Sequence, residues 1–327
     1  MLKLGVIGTN WISKMFVDAA EATQAYTLTS VYSRREASGR EFSESAAIYT
    51  DLEAFFTSGI DVVYIASPNS LHFQQVAQAI EHDVQVIVEK SAFSNPKEFE
   101  KIYSILREHP TVHLFEAARH IHQDNFKAIE AQVADMDVIS GATFVYEKYS
   151  SRFDAYLAGE EPNVLTRTFS AGALTDLGVY PIYAIVKLFG LPEDVHYFAT
   201  KLANGADGRG TAILRYADFD VTAQFGKMAN SYQRSEILGR KDTIFIDNIA
   251  ELGDVTYVDA DGKSVEISTT APENPMMAEA QVFADIINDP DAHTDEYEEL
   301  FMLSQRVNMV LTQLRQSAGI EFPADHA

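Results

Sequence analysis

Short apolar runs alternate with amphipathic segments through the first third of the chain. The runs predict strands at residues 2–7, 26–33, 61–66, 84–88 and 112–115, and the segments between them predict helices at 11–22, 36–45, 71–81 and 96–108. Apolar strands separated by helices are typical of a doubly wound parallel sheet, which helices cover on both faces. Such a sheet binds ligands at the carboxyl ends of its strands, so we expect the chemistry there.

The pattern changes after about residue 120. Val221, Ala223 and Phe225 alternate with Thr222 and Gln224, as in a sheet with one covered face. The predicted strands are 139–147, 195–202, 211–216, 221–226, 235–238 and 243–247, and the predicted helices are 123–133, 172–189, 275–287 and 295–318. This mixture predicts an α+β domain with an open, mostly antiparallel sheet. We therefore expect two domains, residues 1–119 and 120–327.

Composition excludes several classes of function. The 327 residues are 46% hydrophobic and carry a formal net charge of −23. A chain this acidic repels phosphate backbones and anionic lipid surfaces, which argues against nucleic-acid and membrane partners. Because there is no cysteine, disulfides, thiolate metal sites and cysteine nucleophiles are excluded. Absent disulfides suit a reducing compartment, so a cytoplasmic location is expected. No run approaches the roughly 18 apolar residues that a membrane span needs.

The first candidate motif is a turn from strand to helix at residues 5–13. Gly8 ends the strand, and free N–H groups at the start of the next helix can hold a pyrophosphate. Asn10 and Ser13 stand where a full dinucleotide fingerprint has glycine. We expect Asn10 to exploit its tolerance of left-handed backbone and Ser13 its small size. The alternative is a plain strand–helix turn.

Two arginines follow the second predicted strand, in the segment Ser33-Arg34-Arg35. A cofactor with a free ribose 2′-hydroxyl usually meets an acid at this point, whereas arginine suits a 2′-phosphate. The segment favours NADP over NAD, with NAD as the second choice. A solvated helix start is the alternative explanation.

Two further strand ends carry polar side chains. Ser67-Pro68-Asn69 forms a turn after the third strand, and His72 follows it. His72 is expected to pack near a cofactor or to cap the turn rather than act as a base. Lys90 follows Glu89 at the tip of the next strand, where lysine is uncommon unless it is needed. The alternative for Lys90 is a solvent-facing strand end.

A helix predicted at residues 172–189 combines an apolar face with a polar stripe. Asp176 and Tyr180 are one turn apart and can act on one ligand, and the stripe continues through Tyr183 and Lys187. The alternative is a solvated helix face, as most such stripes are. Pro181 interrupts an otherwise good helix, as functional helices sometimes allow.

A metal site is not favoured. Glu116, His120 and His122 are the candidates, but the histidines are two residues apart and no third ligand stands out. Arg119 and His120 are instead expected to line a pocket opening or to pack between domains.

This ordered set of motifs resembles the Gfo/Idh/MocA oxidoreductase family, in the branch of dimeric dihydrodiol dehydrogenase and glucose–fructose oxidoreductase. The resemblance rests on the turn at Gly8, Ser33-Arg34, the segment 67–72, Glu89-Lys90, Glu116-Ala117 and the segment 171–181. It implies an N-terminal Rossmann domain and a substrate-binding second domain that pairs through its sheet as a homodimer or homotetramer. Ser91 stands where the family has proline, and Tyr180 where many members have histidine.

The resemblance also assigns roles to residues. The residues it implies for cofactor binding, together with the motifs above, are Gly8, Thr9, Asn10, Trp11, Ile12, Ser33, Arg34, Ser67, Pro68, Asn69, His72, Glu89, Lys90 and Ala117, and those it implies for catalysis are Lys90, Asp176 and Tyr180. The implied reaction moves a hydride between a nicotinamide and a hydroxyl or carbonyl carbon. Sugars, inositols, anhydro-sugars and cyclic dihydrodiols all remain open as substrates. A non-catalytic dinucleotide sensor on the same fold is the alternative function.

Overall fold

The computed structural model describes residues 1–326, which form two compact units. The first unit comprises Met1–Arg119 and Asn274–Gln305, and the second comprises His120–Glu273 and the chain from Arg306 onward. The sequence pattern placed one boundary at 119/120 and did not predict that residues 274–305 return to the first unit. A single change of periodicity cannot reveal such a return, because the helix Thr294–Ser317 runs from the returning segment into the second unit without a break.

The first unit is built on a six-stranded parallel sheet. Its strands are β1 (Leu2–Ile7), β2 (Tyr26–Tyr32), β3 (Ala47–Tyr49), β4 (Val62–Ile65), β5 (Gln85–Glu89) and β6 (Leu114–Ala117), in the order β3-β2-β1-β4-β5-β6. This is the strand order of a dinucleotide-binding doubly wound sheet, so the predicted fold class is confirmed. The direction of winding reverses between β1 and β4, which is where such sheets bind their ligands.

The second unit is built on an eight-stranded sheet. Its strands are β7 (Gly141–Glu147), β8 (Asp194–Lys201), β9 (Asp207–Arg215), β10 (Asp220–Gly226), β11 (Ser235–Leu238), β12 (Thr243–Ile246), β13 (Val255–Val258) and β14 (Ser264–Glu266), in the order β14-β13-β12-β11-β7-β10-β9-β8. Only the central pair of β7 and β10 is parallel, and the other pairs are antiparallel. The expected open, mostly antiparallel sheet is therefore present.

Helices cover both sheets. In chain order they are α1 (Trp11–Ala22), α2 (Glu36–Phe42), α3 (Leu52–Phe56), α4 (His72–Glu81), α5 (Pro96–Leu106), α6 (Asp124–Asp135), α7 (Phe153–Leu157), α8 (Val179–Phe189), α9 (Met277–Asn288) and α10 (Thr294–Ser317). The elements that the pattern did not predict are short: β3, α3, α7, β13 and β14. A segment of three to five residues spans too little chain to show a period.

The core of the first unit lies on both faces of its sheet. On one face, α1 and α9 pack over β1 and β4, and the ring of Phe16 stacks on Tyr64 with centroids 3.9 Å apart. On the other face, α4 and α5 cover β4 and β5. Burial on both faces explains why these strands are apolar without alternation.

The helix of the polar stripe is the core helix of the second unit. Every residue from Val179 to Val186 is buried, Tyr180 and Tyr183 included, so the solvated-face alternative is wrong. Within Arg167–Phe189, an 18-residue window has a mean hydropathy of 1.3. That stretch is thus apolar enough for a span, contrary to the expectation from the sequence. However, 83% of the window is buried inside the structure, as in a core helix.

Candidate active site

The candidate cofactor residues of the first unit lie at one edge of its sheet. They follow β1 (Gly8, Thr9, Asn10, Trp11, Ile12), β2 (Ser33, Arg34) and β4 (Ser67, Pro68, Asn69, His72), or they end β5 and β6 (Glu89, Lys90, Ala117). Parallel strands bring all their carboxyl ends to the same edge, so the topology collects residues that are far apart in sequence. Their contact with a cofactor stays a prediction.

The turn between β1 and α1 is shaped by Gly8 and Asn10. Gly8 has φ +104°, and a Cβ there would lie 2.7 Å from the carbonyl oxygen of Ala66, so glycine is needed on both counts. Asn10 has φ −96°, and the expectation that it uses left-handed backbone is wrong. Its side chain instead accepts from the Ser13 N–H (3.0 Å) and donates to the Ala66 carbonyl (3.0 Å). It therefore caps α1 and ties the β1 turn to the β4 turn.

The end of β2 presents two uncompensated positive charges. The N–H of Ser33 donates to the Tyr49 carbonyl (2.9 Å), which fixes the backbone before the arginines. Arg34 and Arg35 are both exposed. Within residues 1–326, neither guanidinium makes a hydrogen bond or an ion pair. Two guanidiniums without carboxylate partners suit a phosphate.

The imidazole of His72 joins two loops. It is fully buried, with Nε2 2.8 Å from the Ser67 carbonyl oxygen and Nδ1 3.2 Å from the Ser91 carbonyl oxygen. Burial, together with the nearby Lys90 charge, lowers the pKa of His72 to about 4. His72 is therefore neutral at pH 7 and links the loops that follow β4 and β5.

Lys90 directly follows β5, and a hydrogen bond to a side chain holds the backbone just after it. The peptide bond between Lys90 and Ser91 is cis. Two residues on, the Ala92 N–H donates to the Glu116 carboxylate (3.0 Å), which also accepts from the Ser304 hydroxyl. Glu116 thus holds the loop after Lys90 in place through hydrogen bonds.

Glu89, which precedes Lys90, is buried in the same strand. The Tyr64 hydroxyl donates to its Oε1 at 2.5 Å. Burial raises the pKa of Glu89, while the charges of Lys90 and Arg119 and the Tyr64 hydrogen bond oppose that shift. The carboxyl group therefore lies inside the protein beneath the strand tip rather than at the surface.

In the second unit, Asp176 and Tyr180 flank a change of helix type. Leu174–Gly178 is a π-helical turn, and α8 continues from Val179 as an α-helix. Pro181 lacks an N–H and crowds the carbonyl four residues earlier, which is a local reason for the wider turn. Such π turns occur frequently at functional sites.

Aromatic neighbours fix the position of Tyr180. Its ring centroid lies 5.0 Å from that of His120 and 5.4 Å from that of Tyr146. Nε2 of His120 donates to the main-chain carbonyl of Tyr180 at 3.0 Å. The histidine singled out as a weak metal candidate is thus part of the packing around Tyr180.

A lysine that the sequence analysis missed contacts Asp176. Lys227 follows β10 directly, and its Nζ forms an ion pair with Oδ2 of Asp176. The sequence does contain a signal, since Lys227 follows a predicted strand just as Lys90 does. It was overlooked because β10 alternates and its end reads as a solvated turn.

Residues 1–326 do not provide a set of ligands for a metal ion. Among residues 1–326, no group of three histidine, aspartate or glutamate side chains is arranged to hold an ion. Burial, together with the charges of Lys187 and Lys127, lowers the pKa of His122 to about 3. His122 is a buried neutral side chain in this structure.

Comparison with known proteins gives consistent matches. The model of an oxidoreductase family with an NAD-binding Rossmann fold, GFO_IDH_MocA, matches residues 2–117, and the model of the GFO/IDH/MocA C-terminal domain matches residues 145–245. The uncharacterized oxidoreductase YgjR of Escherichia coli is 36% identical over 99% of both chains. The scyllo-inositol 2-dehydrogenase (NADP(+)) IolU of Bacillus subtilis is 35% identical over 100% of both chains.

Solved structures share the fold at lower identity. KijD10, a 3-ketoreductase from Actinomadura kijaniata crystallised in complex with NADP, superposes with a TM-score of 0.79 over 97% of both chains. The sequence identity is 18%. This similarity describes the fold of the chain.

Proposed function

From the premise that this chain belongs to the Gfo/Idh/MocA oxidoreductase family, we propose that it is an NADP-dependent dehydrogenase or reductase. Its substrate is a polyol, a sugar or a cyclic diol, and the reaction interconverts a secondary hydroxyl and a ketone. The substrate class is supported by full-length similarity to a scyllo-inositol 2-dehydrogenase. The observation that carries the cofactor assignment is the pair of exposed guanidiniums, Arg34 and Arg35, at the end of β2.

The residues of the first unit fit NADP. The first turn of α1 offers main-chain N–H groups from Trp11 and Ile12 to a pyrophosphate, at the strand pair where the winding reverses. Arg34 and Arg35 offer charge and bidentate donors to a 2′-phosphate. When bound, the nicotinamide supplies or accepts the hydride.

Side chains of this protein transfer the proton of the reacting hydroxyl group. Tyr180 gives a proton to the carbonyl oxygen of the substrate during reduction and takes it back during oxidation. A phenol is a poor base at its unperturbed pKa near 10, so Lys90 must assist by its positive charge or by relaying the proton. Asp176 accepts a hydrogen bond from a substrate hydroxyl and thereby orients the reacting carbon.

The setting is proposed to be a homo-oligomer in the cytoplasm. The side chains of one row on the second-unit sheet, Thr143, Thr222 and Ile213, are half-buried and uncharged, and their strands pair directly. These three side chains form an uncharged row that lies between the ion pairs Glu147–Arg209 and Asp220–Arg215, and such a row favours association between copies. The cysteine-free composition suits a reducing compartment.

The cofactor assignment is tested by titrating the protein with NADPH and with NADH. Trp11, the single tryptophan, stands 74% exposed at the start of α1, so energy transfer from it reports binding. We expect tighter binding of NADPH than of NADH, followed by oxidation of inositols or other polyols with NADP+. A preference for NADH would overturn the role of the arginines. Binding without turnover of any polyol, sugar or cyclic diol would favour a sensor.

A further inference from the structure

Lys227 is a charged side chain enclosed by the second unit. It is 2% exposed although it stands at the end of a strand. Its N–H donates to the Gly208 carbonyl (2.8 Å), which extends the pairing of β10 with β9 by one residue. The sheet therefore sets the backbone from which the lysine projects.

The ammonium group of Lys227 has two ligands from outside the sheet. It pairs with Oδ2 of Asp176 and donates to the main-chain carbonyl of Val164 at 3.2 Å. The Asp176 side chain remains 30% exposed. One oxygen of this carboxylate thus meets a buried cation while a third of the side chain faces outward.

Asp207, a buried acid, accepts a hydrogen bond from the π turn that carries Asp176. Asp207, the first residue of β9, accepts from the Leu174 N–H (2.6 Å) and from the Tyr197 hydroxyl (2.8 Å). Burial raises the pKa of Asp207, whereas these hydrogen bonds and the Lys227 charge oppose that shift. A Cβ at Gly172 would lie 1.9 Å from Oδ1 of Asp207, so glycine lets the chain pass over this carboxyl group.

We propose that Lys227 is a positioning residue for the reaction, which acts through Asp176. Its ion pair holds Asp176 in the ionised form and in one rotamer, so that the outward side of the carboxylate accepts a hydrogen bond from a substrate hydroxyl. The inference rests on the proposed function, because it assigns Asp176 to the substrate. The inference adds Lys227, which directly follows β10 and belongs to none of the sequence motifs described above.

The physical argument is charge compensation. An ionised carboxylate next to a buried core is costly unless a cation balances it, and a lysine buried without an anion is equally costly. Removal of the Lys227 charge should let Asp176 take up a proton at higher pH and swing toward solvent. A protonated or mobile Asp176 would orient the substrate poorly.

The first test follows the Asp176 carboxyl carbon by nuclear magnetic resonance in protein labelled with [4-¹³C]aspartate. The signal absent from Asp176→Asn identifies the residue. We follow this signal from pH 8 downward and expect it to titrate at a lower pH in wild-type protein than in Lys227→Met. Lys201→Met, which removes the charge of an exposed lysine on β8, is the matched control.

The same spectra contain a check on neighbouring charges. The elements packed against the π turn carry further ionisable groups, which are Tyr146 and Glu147 on β7, Asp207, Arg209 and Arg215 on β9, Asp220 on β10, and Tyr180, Tyr183 and Lys187 on α8. Identical titrations in wild type and Lys227→Met would overturn the inference.

The second test is a double-mutant cycle on turnover. Lys227→Met and Asp176→Asn should each lower kcat/KM by about 10²-fold, while the double variant should lose little more than either single one. Multiplication of the two effects to about 10⁴-fold would show that Lys227 acts independently of Asp176, and the inference would be wrong. Lys201→Met should retain wild-type turnover.

Different results would disprove the proposed function and the role of Lys227. A wild-type protein that turns over no polyol, sugar or cyclic diol defeats the proposed function, while the carbon titration still decides whether Lys227 controls Asp176. An active wild type with independent variant effects defeats this inference and leaves the proposed function standing.

Discussion

Lys90 and Lys227 show how one residue type carries chemistry in two places. Lys90 follows the buried strand β5 and adjoins Glu89, whereas Lys227 follows β10, which is buried on alternate residues, and pairs with Asp176. Lys90 is half-buried, whereas Lys227 is enclosed. This difference in burial separates a lysine proposed to meet the substrate from one proposed to hold another side chain.

Removal of the Lys90 charge should abolish most turnover and spare the cofactor. We expect Lys90→Met to lower kcat by about 10²-fold or more, as for the loss of acid–base help. The dissociation constant for NADPH, measured by energy transfer from Trp11, should change little. Unchanged turnover in this variant would remove Lys90 from the catalytic set.

Cofactor choice should follow the charge after β2. Arg34→Asp places a carboxylate where a ribose 2′-hydroxyl can be bound and a 2′-phosphate is repelled. We expect NADPH affinity to fall by about 10-fold or more, which corresponds to about 1.4 kcal/mol, and NADH affinity to rise. Arg40→Asp, on α2, is the matched control. An unaltered preference would mean that the phosphate contacts other residues.

At the scale of elements, short connections carry the site, and packing decides their form. Asn10 caps α1 and also reaches the β4 turn, so one amide holds two connections together. Gly178 brings the π turn against β10, because a Cβ there would lie 2.9 Å from the Phe225 ring. The glycine is therefore a close-approach position inside a core helix.

The cap at Asn10 gives a prediction that separates stability from binding. Asn10→Ala should lower the free energy of unfolding by about 1 kcal/mol through loss of the cap, measured by urea denaturation. Asn10→Asp keeps the cap but loses the hydrogen bond to the Ala66 carbonyl, and it adds a negative charge at the expected pyrophosphate position. It should therefore be more stable than Asn10→Ala and bind NADPH more weakly than wild-type protein. Equal NADPH binding by Asn10→Asp and wild type would argue against a pyrophosphate at this turn.

At the scale of the whole molecule, a net charge of −23 coexists with an uncharged row of side chains on the second-unit sheet. Thr143, Thr222 and Ile213 form a row across three neighbouring strands, and Phe198 on β8 is 61% exposed. Repulsion from so much negative charge favours separate chains, whereas an uncharged row of half-buried side chains favours association. The oligomeric state in solution therefore shows whether charge repulsion or association through this row dominates.

Charges placed on this face should dissociate the oligomer. We expect wild-type protein to elute as a dimer or tetramer, and Ile213→Lys combined with Thr222→Lys to give a monomer in light scattering. Ser104→Lys on the exposed side of α5 should leave the mass unchanged. A monomeric wild type would contradict the proposed association.

Buried histidines should make the fold sensitive to acid. Burial lowers the pKa of His122 to about 3 and that of His72 to about 4, against about 6.5 in an unfolded chain. The unfolded state therefore binds protons below pH 6.5 that the folded state refuses, and stability falls as the pH drops from 6.5 toward these values. Each histidine contributes up to about 1.4 kcal/mol per pH unit.

The His122 contribution can be measured alone. We expect His122→Gln to have a flatter plot of unfolding free energy against pH between 6.5 and 5 than wild-type protein. His326→Gln, at an exposed histidine, is the control. Parallel plots for wild type and His122→Gln would show that His122 binds protons equally in the folded and unfolded states.

The sequence by itself determined the class of fold and the edge at which the cofactor candidates gather. Apolar strands buried on both faces, such as β4, are written into local composition, and parallel winding follows from the helices between them. Motifs at strand ends, such as Ser33-Arg34, need no tertiary information to be found. The family relationship was contained in the order of these motifs.

Tertiary structure decided the contacts between residues far apart in the chain. Lys227 meets Asp176 across 51 positions, and Glu116 meets Ser304 across 188. It also decided that residues 179–186 of α8 are all buried and that residues 274–305 return to the first unit. Periodicity reports which side of one element is apolar, whereas burial and ion pairing depend on what other elements bring to it.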